Sequence, residues 1–227
     1  MSLDRKINRI QFLSGNSLKV IAVLTMLIDH LCKIVLQWLL SNYWGAMADN
    51  GQMSWERFRE IDYFIRFDLQ SIGTIAFPLF CFLLAEGFQH TRSKKRYIGL
   101  MLAFALISEV PFDIGFFNAY SRMEGTFPFY LKYQNVFFTL FLGLLTLVCL
   151  ERFSCKSDLP VDRIKSAVLQ VLSVVLFSGI AEGIHCDYGM QGILFISAFY
   201  ICRNHRKTEA NAGICSRGST LYSAGTT

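Results

Sequence analysis

The chain has 227 residues, of which 53% are hydrophobic and only 17% charged, with 21 phenylalanines. A water-soluble domain of this size cannot cover so apolar a composition with polar surface, which excludes a soluble globular protein and leaves an integral membrane protein. The net charge of +5 is a topology signal rather than a nucleic-acid footprint, because the cations fall in alternating connections between apolar runs.

Apolar runs occur at 18–40, 71–90, 97–118, 135–151, 164–184 and, shorter, 188–202. Most reach the roughly 20 residues a helix needs to cross the hydrocarbon core. The expectation is an all-α polytopic bundle of about six transmembrane helices, forming one domain over 1–202. The segment 203–227 is rich in Gly, Ser, Thr and Ala without periodicity, and reads as a disordered cytoplasmic tail.

Arg5, Lys6 and Arg9 precede the first run, as in a secretory signal. That run is longer than a signal core and carries Asp29, His30 and Lys33, so it reads as an uncleaved helix. In the connection 41–70, SWERFREIDYFIRFD places Trp55, Phe58, Ile61, Phe64 and Ile65 at helical spacing. An amphipathic interfacial helix is expected near 54–68, with a packing helix bearing one solvated face as the plainer reading. The polar and aromatic connection 119–134 (YSRMEGTFPFYLKYQ) is read as an outer lid or substrate contact. The seven cysteines are scattered without paired or metal-like spacing, so neither a disulfide framework nor a metal site is expected.

Cytoplasmic loops retain Lys and Arg. Of the 22 such residues, 16 lie on one side of the six-helix arrangement, including Lys19, the cluster Arg92, Lys94, Lys95 and Arg96, then Arg152, Arg163 and Arg203. Both termini are therefore expected to be cytoplasmic.

A charge near the bilayer centre costs about 2.5–3.5 kcal/mol on insertion scales, so ionisable residues there mark sites or relays. Asp29 and His30 fall within the first helix, Glu86 and His90 in the second, and Glu109 and Asp113 in the third, either side of Pro111. Glu182, His185 and Asp187 gather at the turn before the last run. Lys19 and His30 are eleven residues apart, three helical turns plus about 20°, so they share a face with a rise of about 16.5 Å between them. A long activated carrier such as coenzyme A fits that spacing, its phosphates at the cytoplasmic mouth and its reactive end inside. An imidazole titrates near neutrality, so His30 suits a general base. Asp29 lies about 100° around the helix from it, which makes a carboxylate from another helix, Glu86 or Glu109, the better partner for the ring. The plainer reading makes Asp29 and His30 hydrogen-bonded helix glue.

Glu86 and His90 are four apart and stack on one face; two ligands alone do not make a metal site, and none is expected. Arg92, Lys94, Lys95 and Arg96 are placed to receive ligand phosphates. Pro111 frees a backbone carbonyl and kinks the helix where Glu109 points. Asn135 reads as a helix cap or interhelical hydrogen bond, with a ligand contact as the alternative.

The segments LKVIAVLTMLIDH, AFPLFCFLLAEGFQHTR, YIGLMLAFALISEVPFD, NVFFTLFLGLL and DYGMQGILFI, in this order, resemble the TraX family of polytopic membrane proteins. The resemblance implies a bacterial inner-membrane protein akin to membrane acyltransferases, with acetyl-CoA as donor and pilin as acceptor in the name-giving member. In that wider group a basic residue precedes a catalytic histidine by ten intervening positions in the first helix, matched here by Lys19 and His30. Glu86, Glu109, Asp113, Asn135 and Asp187 fall within the matching segments. This chain has Gly73-Thr74 where relatives commonly carry Gly-Arg. Relatives also continue past the DYG segment with further helices and a motif near Tyr-Asn-Gly-Lys-Arg-Gly, so the polar tail reads as that of a truncated or frameshifted product. The function expected is acetyl transfer to an amine or hydroxyl. The alternatives are a transporter or proton-relay component through Asp29, His30, Glu86 and Glu109, and a non-catalytic scaffold of a conjugation or secretion apparatus.

Overall fold

A computed structural model of the chain describes residues 15–118, 132–155 and 159–204. The described residues are overwhelmingly helical, without a strand. Six helices follow one another: α1 (Gly15–Asp49), α2 (Trp55–His90), α3 (Lys94–Phe116), α4 (Val136–Arg152), α5 (Pro160–Gly183) and α6 (189–204). Helices α1, α2, α3 and α5 are long and apolar enough to cross a membrane. The chain is thus a multi-pass membrane helical bundle.

The connection expected over 41–70 is itself helical. Helices α1 and α2 have 35 and 36 residues, about 50 Å each, which exceeds a hydrocarbon core of about 30 Å. The amphipathic segment near 54–68 forms the first turns of α2 rather than a separate element. The reversal between them is short. Gly51 takes φ 74°, a left-handed conformation that glycine adopts without steric cost. Ser54 then caps α2, its side chain accepting the Arg57 N–H at 3.2 Å, which satisfies one of the orphan donors of the first turn. The two helices run antiparallel: Gly15–His30 packs on Gln70–Thr74, Leu31–Leu36 on Phe64–Leu69, and Gly45–Asp49 against Trp55–Tyr63. A turn at Ile75 interrupts α2, three residues before Pro78, which has no N–H to continue the helical ladder.

Wide π-turns occupy Leu31–Leu36 and Leu40–Trp44 in α1, Phe64–Leu69 in α2, and the end of α3 from Ile114. The turn at Leu31–Leu36 touches both Phe64–Leu69 and Ile114–Asn118. They meet directly beyond the Asp29–His30 pair, and π-turns inside α-helices are frequent at functional sites.

The chain divides into two compact units, Met1–Leu83 with Ala103–Asn135, and Leu84–Leu102 with Val136–Thr227. In the second unit α4 is central, burying Leu140, Leu144 and Leu147 together with Thr139 and Thr146. Its partners α5 and α6 add Ala181 and Ile193 to a core shared with Leu142 and Cys186. Gly143 lies directly under the Ile196 side chain, leaving no room for a Cβ. Helix α5 buries only Ser173, Ser178 and Ala181 and exposes Ile164, Val171, Val175 and Leu176, as a lipid-facing helix does. The lid or substrate contact expected at 119–134 falls mostly outside the described residues, as does the tail beyond 204.

Candidate functional site

In the first unit the buried stripe of α1 carries Ala22, Asp29 and Cys32. Asp29 is the deeply placed acid, its side chain 9% exposed. Lys33, one turn on, donates to its Oδ2 at 2.8 Å, an i,i+4 ion pair in which the cation neutralises a carboxylate withdrawn from water. Oδ1 of Asp29 is buried and without a hydrogen-bond partner. Gly73 of α2 lies against it: a Cβ there would stand 2.5 Å from the Asp29 Cβ and 2.7 Å from Oδ1. Glycine at 73 is what lets the two helices approach so closely at the acid.

His30 sits at the junction where α1 passes from α-helix into the first π-turn. Its Nδ1 lies 2.9 Å from the Met26 carbonyl. A carbonyl only accepts, so Nδ1 is the donor here, and in the neutral tautomer Nε2 is the basic nitrogen. The ring-holding partner is thus a main-chain carbonyl of the same helix rather than the cross-helix carboxylate expected. Asp29 Oδ2 stands 3.8 Å from Nδ1, and Phe116 of α3 meets the ring edge-on with centroids 5.6 Å apart. The His30 side chain is 36% exposed and Lys19 is exposed. Their shared row therefore runs along the edge of the buried stripe and not within it.

Glu109 and Asp113 are buried on α3. Glu109 is held by Asn135, whose main-chain N–H donates to its Oε2 at 3.2 Å and whose Nδ2 donates to the same oxygen at 2.5 Å. The amide also donates to the Ala105 carbonyl at 2.8 Å. Asn135 makes the interhelical hydrogen bond anticipated for it, and Glu109 Oε1 stays buried without a hydrogen-bond partner.

A second constellation lies wholly in the other unit. Glu86 and His90 are 3.0 Å apart between Oε1 and Nε2. Arg203 of α6 forms an ion pair with Glu86, donates to Gln89 Oε1 at 3.1 Å and comes within 3.1 Å of His90 Nε2. Sequence reading had placed Arg203 at the start of the tail; it is helical and ties α6 to α2. Lys94 pairs with Glu151 of α4 and lies 4.7 Å above the Phe88 ring. Arg92, Lys95 and Arg96 are exposed. Of the four cations expected to meet phosphates, Lys94 is thus engaged within the protein and the other three face outward.

The turn between α5 and α6 is built by its own polar residues. His185 and Tyr188 adopt φ 53° and 61°, uncommon for residues with a Cβ. The Glu182 carboxylate accepts the Met190 N–H at 2.8 Å, capping α6. Thr139 of α4 donates to the Asp187 main-chain carbonyl. The Glu182 carboxylate and the Asp187 main chain thus hold the turn together.

The model of the TraX protein family matches residues 14–219. Over 186 residues the chain is 29% identical to a probable fimbrial assembly protein FimC, serogroup H1, of Dichelobacter nodosus, covering 80% of this chain and 59% of that protein. The chain therefore spans little more than half the length of that relative. No solved structure matches it. With most of its length matched by one family model, the chain belongs to the TraX family.

Proposed function

We propose that the protein is an integral membrane acyltransferase that moves an acetyl group from acetyl-CoA to an amine or hydroxyl acceptor, with His30 as general base. The observation that carries the reading is the 2.9 Å approach of His30 Nδ1 to the Met26 carbonyl, which puts a proton on Nδ1 and supports Nε2 as the nitrogen that acts as base. In the reaction the acceptor lone pair attacks the thioester carbonyl and Nε2 takes the acceptor proton. The carbon–sulfur bond then breaks, and the departing thiolate is reprotonated. Lys19, exposed on the same helix row about 16.5 Å away, is assigned the donor phosphates in this reading. Lys33 neutralises Asp29, so the ring does not face an unpaired carboxylate. The fimbrial relative supports an envelope acceptor such as pilin. The distribution of Lys and Arg supports an inner-membrane protein with both termini in the cytoplasm.

The test is acetyl transfer by the purified full chain, with acetyl-CoA binding read by calorimetry. His30→Ala is expected to lower the rate by about 10²–10⁴-fold while leaving acetyl-CoA binding in place, and Lys19→Ala to weaken donor binding. A His30→Ala protein that transfers acetyl groups at the original rate would sink the proposal.

One observation favours a second reading, a proton relay: Asp29, not His30, is the buried member of the pair, and its Oδ1 has no hydrogen-bond partner. Proton movement in liposomes by a protein that binds no coenzyme A would select it.

A further inference from the structure

One hydrogen bond, from Nδ1 to the Met26 carbonyl, does not by itself hold an imidazole whose side chain is 36% exposed. The outer torsion of a histidine is broad and roughly two-fold, so a half-turn of the ring would carry Nδ1 off that carbonyl. A second restraint comes from α3. Its end is the wide π-turn Ile114–Asn118, which packs on the turn Leu31–Leu36 that begins directly after His30. Gly115 eases the approach: a Cβ there would stand 3.0 Å from Ile34 Cδ1. The next residue, Phe116, stands perpendicular to the His30 ring, at 86° with centroids 5.6 Å apart.

Phe116 is itself backed. Phe112, one turn earlier on the same helix face, lies 4.8 Å from it at 33°, and Tyr133 stacks on Phe112 at 6.2 Å and 11°. All three rings are half-buried, so Phe116 is a braced wall rather than a loose side chain. Edge-to-face contact is a favoured aromatic geometry. Turning the imidazole therefore loses a ring contact together with the hydrogen bond. Orientation and tautomer are coupled here, because the Nδ1–H form is favoured only while Nδ1 faces a carbonyl.

We infer that Phe116 is a positioning residue for His30: its ring, braced by Phe112 and Tyr133, holds the imidazole with Nδ1 on the Met26 carbonyl and so keeps Nε2 available to take the acceptor proton. The consequence for catalysis rests on the transferase reading; the ring lock itself does not.

Nitrogen-15 NMR of the detergent-solubilised full chain, labelled in histidine and with His30 identified from the spectrum of His30→Gln, reads which nitrogen of the neutral ring carries the proton. The unaltered protein is expected to hold it on Nδ1. Phe116→Leu is expected to raise the ratio of the Nε2–H to the Nδ1–H form by about two- to tenfold, and Phe116→Tyr, which keeps the ring, to stay within about twofold. The Nε2–H form has no lone pair at that nitrogen to act as base. In acetyl transfer, kcat is expected to fall by about tenfold in Phe116→Leu and to recover in Phe116→Tyr, with acetyl-CoA binding by calorimetry unchanged within about twofold. If Phe116→Leu does not fold, Phe116→Met fills the space without a ring and carries the same comparison. A proton on Nε2 in the unaltered protein, or an unchanged ratio in the variant without the ring, overturns the inference. The NMR contrast in a protein that transfers no acetyl group would uphold the lock and sink the transferase reading alone.

Discussion

Gly73 of α2 lies against Asp29 of α1 with no room for a side chain: a methyl group at 73 would stand 2.5 Å from the Asp29 Cβ. Glycine in a helix interior normally costs about 1 kcal/mol relative to alanine, so Gly→Ala substitutions in open helix positions stabilise. At Gly73 the sign reverses. Gly73→Ala is expected to destabilise the fold by about 1–3 kcal/mol, the usual cost of overpacking. Gly99→Ala and Gly179→Ala, where nothing lies within 4 Å, are expected to be neutral or stabilising. Thermal unfolding of the three variants in detergent reads the contrast, and equal shifts would show that the Asp29 contact is not a constraint.

The Asp29–Lys33 pair predicts a non-additive cycle. Lys33→Met strands a carboxylate that is almost wholly buried, and breaking such a pair typically costs about 3–5 kcal/mol. Asp29→Asn removes the charge that needs compensation and is expected to cost less. The double variant Asp29→Asn, Lys33→Met should recover most of the loss of the Lys33 single change. A double variant as unstable as the sum of the singles would mean that the two side chains do not act as a pair.

The pairing was available in the sequence, since 29 and 33 are four apart on a helix, but Lys33 entered the reading only as one of the charges that argue against a cleaved signal. The helical bundle and the positions of its apolar runs were legible because hydropathy and length report lipid burial directly. The helix near 54–68 was legible from the spacing of its apolar residues, but its continuity with the next apolar run, and that of the first run through 41–49, was not: the π-turns at Leu40–Trp44 and Phe64–Leu69 widen the repeat away from 3.6 residues, which blurs the periodicity that marks a continuous helix. Glu86 over His90 follows from spacing within one helix. By contrast, Asn135 under Glu109 and Arg203 against Glu86 join residues 26 and 117 positions apart, and no local pattern encodes either contact. The row of Lys19 and His30 was correctly read as one face, yet helix geometry alone does not say that the buried stripe runs beside it through Asp29.

Asn135 offers Glu109 a main-chain and a side-chain donor at one oxygen. Removing only the side-chain amide, as in Asn135→Ala, leaves the backbone bond and is expected to cost about 1–3 kcal/mol, the penalty for an unsatisfied buried acceptor. Asn135→Asp keeps the shape but sets a second carboxylate against the first without a donor between them, and should be worse than alanine at neutral pH. The ranking, measured by thermal unfolding, is the test; an aspartate variant as stable as the original would show that Glu109 does not depend on the amide.

Arg203 links the two ends of the second unit's sequence, reaching Gln89, His90 and Glu86 at the end of α2 from the end of α6. The guanidinium serves several acceptors at once because its donors are fixed in one plane. Lysine, with a single ammonium, can keep the ion pair to Glu86 but not the fork. The expected order of stability is therefore Arg203, then Arg203→Lys, then Arg203→Ala, with the alanine variant losing about 1 kcal/mol, since the partners are partly exposed and solvent screens the pair. The loss should be local. Amide hydrogen exchange is expected to accelerate in the last two turns of α6 and the last turn of α2, while α4, buried at Leu144 and Leu147, keeps its protection. Exchange that rises uniformly through the unit would contradict a clasp at the helix ends and would make Arg203 part of the general fold instead.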